Sequence, residues 1–173
     1  MFKPIYKKTI QSILVLVFFT VGAYAKDTPF LSGDVGGSTG TNNGNTYQEI
    51  HLGIDMNFTD WLTLRNTGFK RTGSNIKEVT GLDSTLRLIL RGKLDKGSAY
   101  LFAGSGYRWA DESANNAVVS EAGLGISIAG FGLTGGAKYL KYTKERYDKD
   151  NQLMKDHDLN YFLGLSGSTS FGK

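Results

Sequence analysis

The sequence predicts an all-β protein whose eight antiparallel strands run up and down and close into a barrel. Several segments alternate strictly between apolar and polar residues, and only an extended strand converts that pattern into two chemically distinct faces. The connections between these segments alternate between short turns and longer polar stretches. A third feature, an N-terminal leader, precedes the predicted barrel.

Residues 1–25 have the pattern of a secretory signal peptide. A basic start (Lys3, Lys7, Lys8) is followed by an apolar run at 13–21 and by Ala23-Tyr24-Ala25, which fits an A-x-A cleavage site. The apolar run is shorter than the roughly 20 residues that a membrane-spanning helix needs, which argues against an N-terminal anchor. We therefore expect cleavage after Ala25 and a barrel domain of residues 26–173.

Composition excludes several classes of function. The 173 residues include no cysteine, so a disulfide framework, a cysteine zinc site and a cysteine nucleophile are impossible. The leader carries three lysines and no acidic residue, so its removal leaves 17 basic and 16 acidic residues. A nucleic-acid partner thereby loses its main support. No metal site and no cofactor are expected.

The clearest strand is residues 48–58, where one face from Ile50 onward is wholly apolar and the other is polar or glycine. The same alternation recurs at 82–91, 118–128 and 159–171, with Ile89 and Phe162 as exceptions. Weaker segments at 29–36, 62–71, 99–109 and 132–143 bring the predicted number of strands to eight.

The predicted connections differ between the two ends of the barrel. The longer, polar ones are 37–46, 72–80, 110–117 and 144–156, and the shorter ones are 59–61, 92–98 and 129–131. Short turns at one end and long loops at the other are typical of outer-membrane barrels.

Alternation alone is compatible with two ways of closing the sheet. A soluble lipocalin-like carrier keeps its apolar face inside, whereas a transmembrane β-barrel turns that face out to lipid. Glycines on the polar face suit a narrow lumen, and the leader directs the chain to an envelope. Aromatic residues near strand ends match interfacial girdles: Phe58, Trp61, Tyr107, Trp109, Tyr139, Tyr142, Tyr161 and Phe171. We therefore expect the transmembrane barrel.

The leader, the alternating segments, FTDWLTLR at 58–65, YLFAGSGY at 100–107 and the late Phe171 resemble the small OmpA/OmpX-type outer-membrane barrels. The resemblance covers essentially the whole mature chain. It implies a non-enzymatic monomer in the bacterial outer membrane, inserted by the barrel-assembly machinery. The partners it implies are outer-membrane lipid, lipopolysaccharide and a host or surface ligand. The implied role is envelope integrity, adhesion or host contact.

The polar face predicts a lumen filled by charged side chains, because an eight-stranded barrel is packed by its own residues. An unpaired ion there costs several kcal/mol, so these charges must pair. A turn at 59–61 places Asp55 opposite Arg65. A transient ion path is the alternative to a paired, plugged lumen. The predicted lumenal set is Glu49, His51, Asp55, Arg65, Asp83, Arg87, Arg91, Arg108, Glu121 and Lys138.

Two histidines raise the question of catalysis. His51 lies between Glu49 and Asp55 on one face, but it has no neighbouring nucleophile and is hidden in the lumen. His157 lies at the base of the last loop and faces outward, where a lipid A-modifying enzyme would need it. Lipid A deacylase barrels carry a serine two residues after their histidine, and this chain has Leu159. The enzyme therefore stays an alternative.

The long loops are the best place for a surface function. Residues 70–77 hold Lys70, Arg71 and Lys77, and residues 143–150 mix both charges with a tyrosine. Basic side chains at an outer rim would face lipopolysaccharide phosphates. Ordinary solvated loops are the alternative.

Overall fold

The computed structural model describes residues 29–167, and they form a closed barrel in which neighbouring strands are antiparallel and β8 pairs with β1. The predicted fold class is confirmed, whereas the signal peptide and Phe171 lie outside the described residues. A 3₁₀ turn, Ser113–Asn115, lies between β5 and β6. The strands are β1 (Leu31–Asn42), β2 (Asn45–Asn57), β3 (Leu62–Gly73), β4 (Val79–Leu94), β5 (Gly97–Ala110), β6 (Ala117–Ile128), β7 (Phe131–Tyr142) and β8 (His157–Gly167).

The register determines how far the strands tilt. Gly33 of β1 pairs with Gly167 of β8, but the partners that follow from Gly33 through β2 to β7 reach β8 at His157. This ten-residue offset along β8 is the shear of the barrel. Eight strands with such a shear tilt by roughly 35–45° and enclose an interior that side chains just fill. No helix within residues 29–167 is long and apolar enough to cross a membrane.

The apolar faces of the strands point outward. Ile50, Leu52 and Ile54 are 57–69% exposed, while Glu49 is 2% exposed on the opposite face of β2. The same division holds on β4, where Leu86 faces out and Arg87 is buried. A lipocalin-like barrel requires the reverse arrangement, so the carrier alternative is wrong.

The two exceptions to the alternation have a common explanation. Ile89 and Phe162 are buried in the lumen, where they form an apolar cluster with Phe102 and with the partly buried Tyr100. The rings of Phe102 and Phe162 lie 6.2 Å apart. Part of the lumen wall is therefore apolar, beside the charged residues.

Two of the predicted connections are wrong. The expected loop at 37–46 is only the turn Asn43-Gly44, whose φ angles of 49° and 81° suit a tight hairpin. Residues 37–42 continue β1, paired with β2 and, as far as Thr41, with β8. The inward position 40 needs glycine, because a Cβ there would lie 2.6 Å from the Tyr47 ring. The expected connection at 92–98 is likewise reduced to Asp95-Lys96.

The two ends of the barrel still differ. We call the end with residues 58–61, 95–96 and 129–130 the turn end. The opposite end, with residues 43–44, 74–78, 111–116 and 143–156, is the loop end. Only the hairpin at 43–44 departs from the predicted asymmetry, because β1 and β2 extend to the loop end.

Outward-facing aromatic side chains gather towards both ends. Trp61 at the turn end is 54% exposed, and Trp109 near the loop end is 49% exposed, with its ring 5.1 Å from that of Tyr107. Tyr139 and Tyr161 also face outward near the loop end. Tyr142 is a correction: it is 5% exposed and points into the lumen.

We expect Leu52→Arg to destabilise the barrel in a phospholipid bilayer by about 2–4 kcal/mol, the cost of a cation at the middle of the lipid-facing surface. The control is Gln48→Arg, four residues nearer the loop end on the same face, with an expected cost of about 0–1 kcal/mol. Urea titrations in lipid vesicles measure both. Equal costs would contradict an outer surface buried in lipid.

Candidate functional site

The centre of the lumen is a cluster of alternating charges supplied by five strands. Glu49 accepts hydrogen bonds from Arg71 Nε at 2.8 Å and from Arg108 Nη1 at 2.7 Å. Asp83 accepts from Arg108 Nε and from Lys138 Nζ, each at 2.7 Å. Each carboxylate thus lies between two cations, and both share Arg108.

A second cluster closes the lumen at the loop end around Asp158, which is 1% exposed. Its Oδ2 accepts from Tyr142 Oη at 2.6 Å, from Tyr47 Oη at 3.0 Å and from Arg71 Nη1 at 3.2 Å. Its Oδ1 lies 3.3 Å from Arg146 Nη2. Because Arg71 also contacts Glu49, this cluster is continuous with the central one.

A third group lies towards the turn end. Arg65 bonds Asp34 Oδ1 at 2.8 Å and lies 3.6 Å from Asp55 Oδ1. The register Asp55↔Arg65 confirms the pairing predicted from the turn. Arg87 bonds Glu121 at 2.7 Å, and Thr85 donates to the same carboxylate oxygen at 2.7 Å.

Aromatic rings cover the faces of the buried guanidinium groups. Arg108 lies 3.7 Å from the centre of the Phe69 ring, and Arg71 lies 4.0 Å from that of Tyr47. Such contacts favour a desolvated cation by about 2 kcal/mol. The edges of these groups meet carboxylates while their faces meet rings, so the arginines are held from both directions.

Not every residue predicted for the lumen joins these clusters. His51 is buried, but its Nε2 has no hydrogen-bond partner and faces the backbone at Gly36 and Gly164. Arg91 is a correction: it is exposed, and Ser98 Oγ at 3.4 Å is its hydrogen-bond partner. Arg91 lies on the inward-facing side of β4, as expected, but this part of β4 extends beyond the packed part of the lumen.

Several members of these clusters are not among the residues predicted for the lumen: Asp34, Tyr47, Arg71, Tyr142, Arg146 and Asp158. Arg71 follows Arg65 and Phe69 at even spacing on β3, and this was the signal available for it. Arg146 carries no such signal, because it lies in a loop.

The loop 143–156 is folded over the barrel rather than solvated throughout. Arg146 and Asp148 are 3% and 2% exposed. Asp148 Oδ1 accepts the backbone N–H groups of residues 150 and 152 at 2.9 Å, and Arg146 donates to Lys155 O at 3.0 Å. Met154 packs with Ile76 and Tyr47. The loop therefore seals the loop end of the lumen.

His157 lies outside the barrel, at the rim. Its Nδ1 is 2.8 Å from Asp156 Oδ1, and its ring is stacked on Tyr139 with centroids 5.8 Å apart. The hydrogen bond from Lys141, followed by that of His157, lowers the pKa of Asp156 to about 2. The cross-strand partner of His157 is Lys141, and the next outward residue of β8 is Leu159. An acid–histidine pair is present without an adjacent serine or threonine on β7 or β8.

No group of three histidine, aspartate or glutamate side chains within residues 29–167 is arranged to hold a metal ion. The buried carboxylates of the strands are engaged by arginine or lysine instead. The charged side chains of the lumen therefore pair with one another.

We expect Glu49→Gln to lower the free energy of unfolding by about 3–5 kcal/mol, because Arg71 and Arg108 lose a buried counter-charge. The matched control is Glu78→Gln, which breaks the exposed ion pair with Lys70 and should cost about 0–1 kcal/mol. Urea unfolding in lipid vesicles gives both values. A cost for Glu49→Gln as small as the control would show that the cluster contributes little.

No protein-family model and no curated protein sequence matches the chain. Solved structures that are similar to it include the following two. The outer membrane enzyme PagL has a TM-score of 0.53 at 15% identity, covering 79% of this chain and 99% of PagL. Neisserial surface protein A (NspA) has a TM-score of 0.53 at 12% identity, covering 82% of this chain and 96% of NspA. The chain has the fold of the small eight-stranded outer-membrane barrels.

Proposed function

We propose that this chain is a non-enzymatic, integral protein of the bacterial outer membrane with a structural or surface-interaction role. The observation that carries the proposal is the exposed apolar belt around the closed barrel. Leu52 and Leu163 are 69% and 60% exposed on β2 and β8, far apart along the chain but both on the outer wall. Burial in acyl chains is what removes such a surface from water.

The arrangement of the two ends supports an orientation. Short turns face the periplasm and longer loops face the outside in barrels of this type. The turn end and the loop end of this chain follow that division. The outward aromatic side chains Trp61, Tyr107, Trp109, Tyr139 and Tyr161 then serve as interfacial anchors, and Phe58 joins them at the turn end.

The sealed lumen supports a role at the surface rather than in transport. An ion crossing from the loop end would have to displace Arg146 from Asp158 and separate Arg71 from Glu49. Breaking buried pairs of this kind is costly. Function is therefore assigned to the loops and the outer wall.

The partners follow from this assignment: outer-membrane lipid, lipopolysaccharide and a host or surface ligand at the loops. Arg71 and Arg146 are engaged inside the barrel, so they do not contribute to a basic rim. The exposed Lys77, Lys144 and Lys149 remain for anionic headgroups at the loop end. Insertion by the barrel-assembly machinery and a monomeric state complete the proposal.

Cysteine labelling tests the location and orientation together, because the chain has no cysteine of its own. We expect Gln152→Cys, on the loop 143–156, to react with a membrane-impermeant maleimide on intact cells. Lys96→Cys, on an exposed turn of the opposite end, should react only after the envelope is permeabilised. Labelling of Lys96→Cys but not Gln152→Cys on intact cells would reverse the orientation, and labelling of neither would contradict a surface location.

A lipid-modifying enzyme is the second candidate, favoured by the His157–Asp156 pair at the outward rim. General acid–base chemistry needs such a pair beside a nucleophile or an activated water. Mass spectrometry of lipid A from cells producing the chain decides between the two candidates. We expect no change in lipid A mass. A change that is lost in His157→Ala, but kept in the buried-histidine control His51→Ala, would establish the enzyme instead.

A further inference from the structure

The lumen is filled only in part. Between the Arg65 and Arg87 ion pairs and the turn end lies a cavity of about 650 Å³. Its rim includes Asp60, Ala129 and Gly130 from two connections at the turn end, and Leu94 and Gly97, which flank the third. Well-packed protein interiors leave few voids larger than a water molecule, so this space is not a packing defect. Its volume lies within the range of sites that hold small molecules.

One wall of the cavity is apolar. It contains Ile89, Phe102 and Phe162, the cluster that breaks the alternation of β4 and β8, together with Tyr100. The rings of Tyr100 and Phe102 lie 6.4 Å apart and those of Phe102 and Phe162 lie 6.2 Å apart. Three neighbouring rings on one side of a wet cavity form a surface for a planar or aliphatic group.

The inner end of the cavity offers little free charge. Arg65 is engaged by Asp34 and Asp55, and Arg87 by Glu121 while it lies 4.3 Å from the centre of the Phe102 ring. A charged ligand group would have to compete with these ion pairs. The charged part of a ligand is therefore not expected at this depth.

The mouth of the cavity is different. Arg91 lines it with an exposed guanidinium group, which lies 5.4 Å from the centre of the Tyr100 ring and within 3.4 Å of Ser98 Oγ. No carboxylate within residues 29–167 pairs with Arg91, in contrast to Arg65, Arg71, Arg87 and Arg108. An arginine beside a ring, without an acidic partner, is suited to a carboxylate, sulfonate or phosphate.

We propose that this cavity binds a small amphipathic anion, with its apolar body against Ile89, Phe102 and Phe162 and its anionic group at Arg91. The order of the two parts follows from the geometry, because the apolar cluster lies inside and the free guanidinium lies at the mouth. The site itself does not depend on the proposed function. Only the side of entry does: with the turn end in the periplasm, the ligand comes from that compartment.

The test uses the barrel refolded in lipid nanodiscs and 2-naphthoate as the probe, followed by NMR of the isoleucine δ1-methyl groups. We expect a saturable shift of the Ile89 methyl signal. The Ile54 methyl, 57% exposed on the outer wall, should shift only in proportion to probe dissolved in the lipid, without saturation. The uncharged 2-naphthamide should bind at least about tenfold more weakly, because a neutral amide replaces the carboxylate in the hydrogen bond to Arg91.

Arg91→Gln should weaken the binding of 2-naphthoate by about tenfold or more, with the barrel still folded because Arg91 is exposed at a strand end. Lys96→Gln removes the same charge at the turn end without lining the cavity and should leave affinity unchanged. A saturable Ile89 shift with equal affinity in Arg91→Gln would overturn the anion site. The absence of any saturable Ile89 shift would overturn the cavity as a binding site, whatever the result of labelling at Gln152→Cys.

Discussion

The structure depends on the neutralisation of charges that are buried in the lumen away from water. Glu49, Asp83 and Asp158 are each 2% exposed or less, and each meets at least two cationic side chains. A buried ion without a partner costs several kcal/mol, so these groups tolerate only one arrangement. Since a one-residue slip turns every side chain of a strand to the other face, the clusters also define the register.

The charge clusters explain the two unlike ends of the lumen. Towards the loop end the carboxylates are surrounded by Arg71, Arg108 and Arg146, and a loop adds the last of these from above. Towards the turn end many of the residues that line the lumen are glycine, serine or apolar, and space remains beside the arginine side chains. One barrel thus combines a sealed half with a hollow half, a division that the outer wall does not show.

Much of this fold was predictable because lipid and lumen impose opposite chemistry on successive residues. The alternation at 48–58 gave the faces of β2, and the turn at 59–61 gave the pairing of Asp55 with Arg65. Residues 37–42 were misassigned because the glycine and small polar residues there make room for Tyr47 and Asn160, the cross-strand partners of Gly40. These contacts cannot be predicted from the spacing of residues in the sequence.

The residues of the candidate sites were predictable only where they continue the alternating pattern of the strands. Arg71 and Asp158 lie at strand ends that resemble loop sequence, and Arg146 reaches the lumen from a loop. Ile89 and Phe162 were recognisable as exceptions, but their meeting in space depends on the closure of the barrel. A residue that breaks the alternating pattern can therefore be recognised from the sequence, but the residues that it contacts cannot.

The anchoring of the loop 143–156 has a consequence for how this chain can diversify. Residues 146, 148 and 154 are committed to the barrel beneath them, whereas positions 149–152 at the tip are exposed. Sequence change that leaves the packing of the loop intact is therefore expected at that tip. Substitution of the packed residues 146, 148 and 154 would disturb the contacts of Arg146 and the strands themselves.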